Sequence, residues 1–176
     1  MGKKKKKTIV AKENQDNIVL DFSFPTSLVS VKTDDFNNYL KNEDEAFKKI
    51  NFCMNELASN VLNENINTLY RLSRHSHTIN NEEKIKILEK AIKKAYLTIT
   101  PEATEGDAKR FYDQNFKETT FYQIGLIQGV RLIGYFYQGH HFKVVLIDYH
   151  HSLFPDVHYN ENDYDSYNLC FYQRGR

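Results

Sequence analysis

Tryptophan is absent from this 176-residue chain, and cysteine, methionine and proline are scarce. Its two cysteines, Cys53 and Cys170, stand far apart and form no CxxC or other metal-ligand spacing. That argues against a disulfide framework and a cysteine-based zinc site, and it fits a reducing compartment. No stretch approaches the roughly 18 consecutive apolar residues of a membrane span, since even KVVLID is bounded by charge. The opening MGKKKKKTIVAKENQDN is basic, but Lys12 and Glu13 arrive before any apolar core of a signal peptide can form. A Gly-rich phosphate loop, GxSxG and HExxH are all missing, which lowers the case for a metabolic enzyme and implies no cofactor. A soluble, cytoplasmic protein without membrane attachment is the expectation.

What is present describes a folding chain. The hydrophobic fraction is 40% and the aromatic fraction 14%, with twelve Tyr and twelve Phe, whereas disordered chains combine low hydrophobicity with high net charge. The length suits one domain of ordinary size. Formal charge is +1, but it is unevenly placed: residues 1–100 carry an excess of Lys and Arg, residues 101–176 an excess of Asp and Glu. Lys3, Lys4, Lys5, Lys6 and Lys7 form one basic run, without which the chain is acidic on balance. We therefore read residues 1–17 as a disordered basic arm and residues 18–176 as a single α+β domain. Such a run is either a solvated tail or an electrostatic arm for nucleic acid, attracting phosphate without reading sequence.

Periodicity sets the elements. NIVLDFSF, closed by Pro25, has the alternation of a first strand at about 18–23. Phe47, Ile50, Met54, Leu57 and Val61 recur at steps of three and four, predicting one inward stripe on a helix over about 44–62, with Glu43, Asp44 and Glu45 complementing its dipole. Ile85, Leu88, Ile92 and Ala95 predict a second helix over 82–97, behind Asn80 and Asn81 as caps, and DAKRFYDQNFK a third. INTLYRLSRHSH between the first two is undecided between helix and strand. From residue 121 the chain turns β-branched and aromatic. The fold class is α+β, with a helical N-terminal half packed on an antiparallel sheet centred on a C-terminal β-hairpin.

Gln138-Gly139 reads as a two-residue turn, which would oppose Tyr137 to His140 and then pair Tyr135 with Phe142, Ile133 with Val144, Arg131 with Leu146 and Gly129 with Asp148. Arg131 and Asp148 become diagonal neighbours in that register. Both faces would be largely apolar, so the hairpin should be central in the sheet or covered on both sides.

The densest polar constellation is His140, His141, Asp148, His150, His151, Asp156 and His158. A strand rise of about 3.3 Å per residue puts His140 and His141 about 30 Å from His150, so the local group is Arg131, Asp148, His150, His151 and His158. As a catalytic set, His150 or His151 would act as general acid/base oriented by Asp148, while Arg131 offsets charge on a phosphate. The bland alternative is an Arg131–Asp148 structural ion pair with solvent-facing histidines. A metal-dependent enzyme using Asp148, His150 and His158 is a third reading, although that spacing matches no specific zinc motif. Arg71 and Arg74, with His75 and His77, form a second cluster that could grip phosphate or be a solvated turn. The tail NENDYDSYNLCFYQRGR lacks the Gly of a calcium loop and reads as an aromatic strap.

The segment RLIGYFYQGHHFKVVLIDYHHSLFP resembles the C-terminal hairpin of small uncharacterised proteins from low-GC bacteria and their mobile elements, and more distantly RelE-type ribosome-dependent endoribonuclease toxins. The resemblance implies an RNA-associated protein of a mobile element or defence system, acting as a metal-independent ribonuclease through Arg131 and His150 or His151, with RNA or the ribosome as partner. Those toxins are shorter and strongly basic, unlike this acidic body. The competing expectation is a non-catalytic module that binds a protein through Tyr135, Tyr137 and Tyr149.

Overall fold

The computed structural model describes residues 17–62, 75–125, 129–155 and 163–174. Most of the basic arm, including Lys3 to Lys7, lies outside the described residues, as do Arg71, Arg74, Asp156 and His158. The described elements are β1 (Val19–Asp21), α1 (Glu43–Asn51), a π-helical turn (Phe52–Leu57), α2 (Ala58–Leu62), β2 (His77–Thr78), α3 (Glu82–Ile99), α4 (Glu105–Phe116), β3 (Tyr122–Gly125), β4 (Arg131–Tyr137), β5 (His141–Asp148), a 3₁₀ turn (Tyr164–Ser166) and α5 (Phe171–Arg174). The fold is α+β.

Side-chain caps start the helices. Asn42 accepts the Glu45 amide at α1, Asn81 accepts that of Lys84 at α3, and Thr104 and Asp107 exchange a reciprocal capping box at α4. Each satisfies amides that a helix start leaves without an internal partner.

The sheet runs β1-β5-β4-β3-β2, so the hairpin strands are flanked on both sides. Its pairings are antiparallel except that β1 lies parallel to β5, which makes the sheet mixed rather than purely antiparallel. Two hydrophobic layers cover it. Leu132, Phe142, Val144 and Ile147 pack with Cys53, Leu57 and Val61 on one face. On the other, Ile133, Val145 and Leu146 pack with Leu88, Ile92, Ala95 and Phe116 of α3 and α4.

Two predicted registers are corrected. The hairpin turn has three residues, with Tyr137 opposite His141 and with Gln138 and Gly139 at φ 50° and 81°. The pairing shifts again between Ile133 and Gly134, where Val145 bulges, so Arg131 ends opposite Asp148 instead of Leu146. Gly134 permits this, because a Cβ there would sit 2.0 Å from the Lys143 carbonyl oxygen. The result places His141 and Lys143 on the face of Tyr135 and Tyr137, and moves Phe142 and Val144 to the opposite one.

The stripe of α1 is rotated as well. The chain buries Ala46, Cys53, Leu57 and Val61, while Phe47 and Met54 are 75% and 56% exposed. The helix widens into the π turn at Phe52–Leu57, and from there Cys53, Leu57 and Val61 face the core at steps of four.

Candidate functional site

Arg131, Asp148 and His150 all end up inside the protein, with relative exposures of 1%, 0% and 7%. Asp148 is committed to the chain beyond β5: Oδ1 accepts from the amides of His150 (3.2 Å) and Ser152 (2.9 Å) and from Ser152 Oγ (3.0 Å), and Oδ2 from the Leu153 amide (2.9 Å). This cluster of donors fixes a sharp turn in which His151, half-buried, takes φ 59°, a left-handed conformation histidine tolerates better than most residues. His150 turns toward α1. Its Nε2 donates to the Tyr39 carbonyl at 2.7 Å, its Nδ1 lies 4.0 Å from Glu45, and Tyr164 and Tyr167 pack on its ring.

Arg131 takes another direction, across Gly125 of β3, where a Cβ would fall 2.3 Å from its Cδ. It donates through Nη1 to the Val130 carbonyl (2.9 Å) and through Nη2 to His75 Nδ1 (3.2 Å). Burial lowers the guanidinium pKa and the charge of Asp148 opposes that shift. Arg131 therefore meets His75, from the second sequence cluster, while His150 belongs to the neighbourhood of α1 and the C-terminal segment. His77 is held by Thr78 and Gln123 and meets Phe154 edge-on. Tyr149, expected as surface, is buried, with its phenol pushed up first by that burial. Among the described residues no group of three His, Cys, Asp or Glu could hold a metal ion, and no helix is long and apolar enough to cross a membrane.

The surface where aromatic and charged groups converge lies at the other end of the hairpin, made by the corrected register. Tyr135, Tyr137 and His141 form a ladder, with ring centroids 6.4 and 5.2 Å apart, extended to His140 at 4.5 Å. Phe116 meets Tyr135 edge-on at 6.0 Å and anchors the ladder to the core. Tyr137, His140, His141 and Lys143 remain partly exposed. Lys143 Nζ stands 5.1 Å over the Tyr137 ring, pairs with Asp21 of β1 and donates to Ser23 Oγ at 3.0 Å. Tyr137 Oη donates to Asp21 Oδ2 at 2.8 Å. The Lys143 pair, followed by Ser23, holds the Asp21 carboxyl well below the usual carboxylate range, and the bond to Asp21 pushes the Tyr137 phenol up. Sequence reading missed this group because Asp21 and Tyr137 are separated by 116 positions. The one local signal was Lys143, a lone cation inside the apolar run HFKVVLID.

These features define an α+β protein with a five-stranded mixed sheet and a part-exposed aromatic patch, with the Lys143–Asp21 ion pair, at the tip of its central hairpin. Residues 23–176 match the family described as Uncharacterised protein UU032, and the chain belongs to that family. It is 28% identical over 171 residues, 95% of this chain and 86% of the relative, to Uncharacterized protein UU032 of Ureaplasma parvum serovar 3 (strain ATCC 700970). That source is a low-GC bacterium, as the hairpin resemblance implied. No solved structure matches the chain.

Proposed function

We propose that the protein binds single-stranded RNA on the Tyr135–Tyr137–His141 ladder, with Lys143 beside it and the Lys3–Lys7 run as an electrostatic arm. The observation that carries this reading is the ladder itself: rings 6.4 and 5.2 Å apart, tilted by 55° and 49° to one another on a partly exposed sheet face, offer surfaces on which unpaired bases can stack. Chain connectivity adds support. Val19 pairs with His141, and the run ends only twelve residues before Val19, so Lys7 can lie no farther than about 40 Å and Lys3 no farther than about 55 Å from that pairing. Burial and structural commitment of Arg131, Asp148 and His150 favour binding over cleavage at that group.

Fluorescence anisotropy with labelled oligouridylate tests the reading. Tyr137→Ala and His141→Ala should each weaken binding by about 1–3 kcal/mol, the range for loss of a base-stacking ring. Full affinity in both variants would remove the ladder from the interface. The RNA should remain full length during incubation; fragments ending in 2′,3′-cyclic phosphate would instead support the metal-independent ribonuclease reading. The resemblance of residues 131–155 to mobile-element proteins, and more distantly to RelE-type toxins, supports a mobile-element or defence setting, with ribosomal RNA the first natural ligand to try.

A second reading, a protein-binding module, is favoured by the exposed Phe47 and Met54 on the α1 side. It would leave oligouridylate unbound in the same assay.

A further inference from the structure

Within the patch, three donors converge on one carboxylate. Lys143 Nζ on β5 and Tyr137 Oη on β4 both reach Asp21 Oδ2, and the Ser23 amide reaches Oδ1 at 2.8 Å. A cation, a hydroxyl and a backbone amide pointing at one small anion are the ingredients of a phosphate site. Here an acid of the chain's own first strand fills it. Asp21 is fixed there by the parallel pairing of β1 with β5, which sets it opposite Lys143.

We infer, resting on the RNA-binding reading above, that Asp21 is an internal stand-in for a ligand phosphate: it holds Lys143 and Tyr137 in the unliganded protein and yields both to a phosphate group of the bound RNA. Carboxylate and phosphodiester each carry one negative charge, so the exchange leaves the charge beside Lys143 unchanged and releases Asp21 to water. The arrangement keeps Lys143 oriented over the Tyr137 ring, and it weakens binding, because an incoming phosphate must displace an acid that also repels it. A part-exposed ion pair contributes little to folding, so its removal leaves the fold in place for the binding measurement.

The test uses the full chain and labelled oligouridylate, with and without a 5′-phosphate, to separate internal phosphodiester from terminal phosphate as the displacing group. Asp21→Asn should tighten binding about five-fold, within the range of a single screened surface charge. Asp21→Glu should stay near wild type. Lys143→Gln should weaken binding and cancel the gain when combined with Asp21→Asn. A larger Asp21→Asn gain for the 5′-phosphorylated oligomer assigns the site to the terminal group, and an equal gain assigns it to internal phosphates. Asp21→Ser serves as the neutral variant should Asp21→Asn fail to fold by circular dichroism. Wild-type binding that is unchanged or weakened by neutralising Asp21 overturns the stand-in role and leaves RNA binding standing. No binding by wild type or either neutral variant overturns both.

Discussion

Arg131 and Asp148 are direct partners across β4 and β5, yet their side chains serve different loops. Asp148 gathers the amides of residues 150, 152 and 153, while Arg131 crosses β3 to His75. Replacing the carboxylate removes those bonds and the counter-charge for a buried guanidinium. Asp148→Ala should therefore cost about 3 kcal/mol or more in urea unfolding, and Asp148→Asn less, since the amide oxygen still accepts. On the RNA-binding reading, affinity for oligouridylate should be unchanged in any Asp148→Asn protein that folds. A loss of affinity at full stability would restore this carboxylate to the functional site.

Gly125 and Arg131 form a second coupled pair. A methyl at position 125 would overlap the arginine stem, so Gly125→Ala should destabilise by about 1–3 kcal/mol through overpacking. Shortening the stem relieves the clash. Arg131→Ala should cost less in the Gly125→Ala background than in wild type, with a coupling of at least about 0.5 kcal/mol in a double-mutant cycle. Strict additivity would show that the two side chains do not compete for the space.

What was legible in the sequence was local. The cap at Asn81 and the Leu88, Ile92 and Ala95 stripe depend on neighbours within a turn or two, and they lie where the pattern puts them. The hairpin was legible as an element but not in register. Gln138 adopts a positive φ that nothing in its chemistry announces, and the bulge at Val145 is a register shift that residue spacing does not show. Since one residue of slip exchanges sheet faces, His141 and Lys143 were assigned away from Tyr135 and Tyr137. The parallel pairing of β1 is a contact between distant parts of the chain, so Asp21 could not be placed beside Lys143 from spacing alone.

The rotated stripe makes its own test. Leu57 is fully buried whereas Phe47 is largely exposed, although both belong to one sequence stripe. Leu57→Ala should cost about 2–5 kcal/mol, and Phe47→Ser should fall within about 0.5 kcal/mol of wild type in the same denaturation series. Comparable losses at the two positions would mean that α1 is an ordinary amphipathic helix facing inward through Phe47.

The Asp21–Lys143 pair carries a pH dependence of defined sign. The folded carboxyl titrates below its unfolded value of about 3.9, so its contribution is present above that value and lost as pH falls through it toward the folded value. The pair is part-exposed, which limits the effect to about 1 kcal/mol or less. The stability difference between wild type and Asp21→Asn should thus be constant from pH 7 to about pH 5 and shrink in more acid solution. A difference that grows on acidification would contradict the ion pair.

Salt separates the arm from the ladder. Each lysine that neutralises a phosphate on a single strand contributes about 0.7 to the slope of log affinity against log salt, so deleting Lys3 to Lys7 should flatten the slope by up to about 3.5. Stacking releases no counterions. Tyr137→Ala should therefore lower affinity at every salt concentration and leave the slope nearly as it was. The two variants displace the same binding line differently, one by tilting it and the other by moving it down. A deletion that leaves the slope untouched would take the arm out of the interface, and a Tyr137→Ala line parallel to wild type but lower would still assign the lost affinity to stacking on the hairpin.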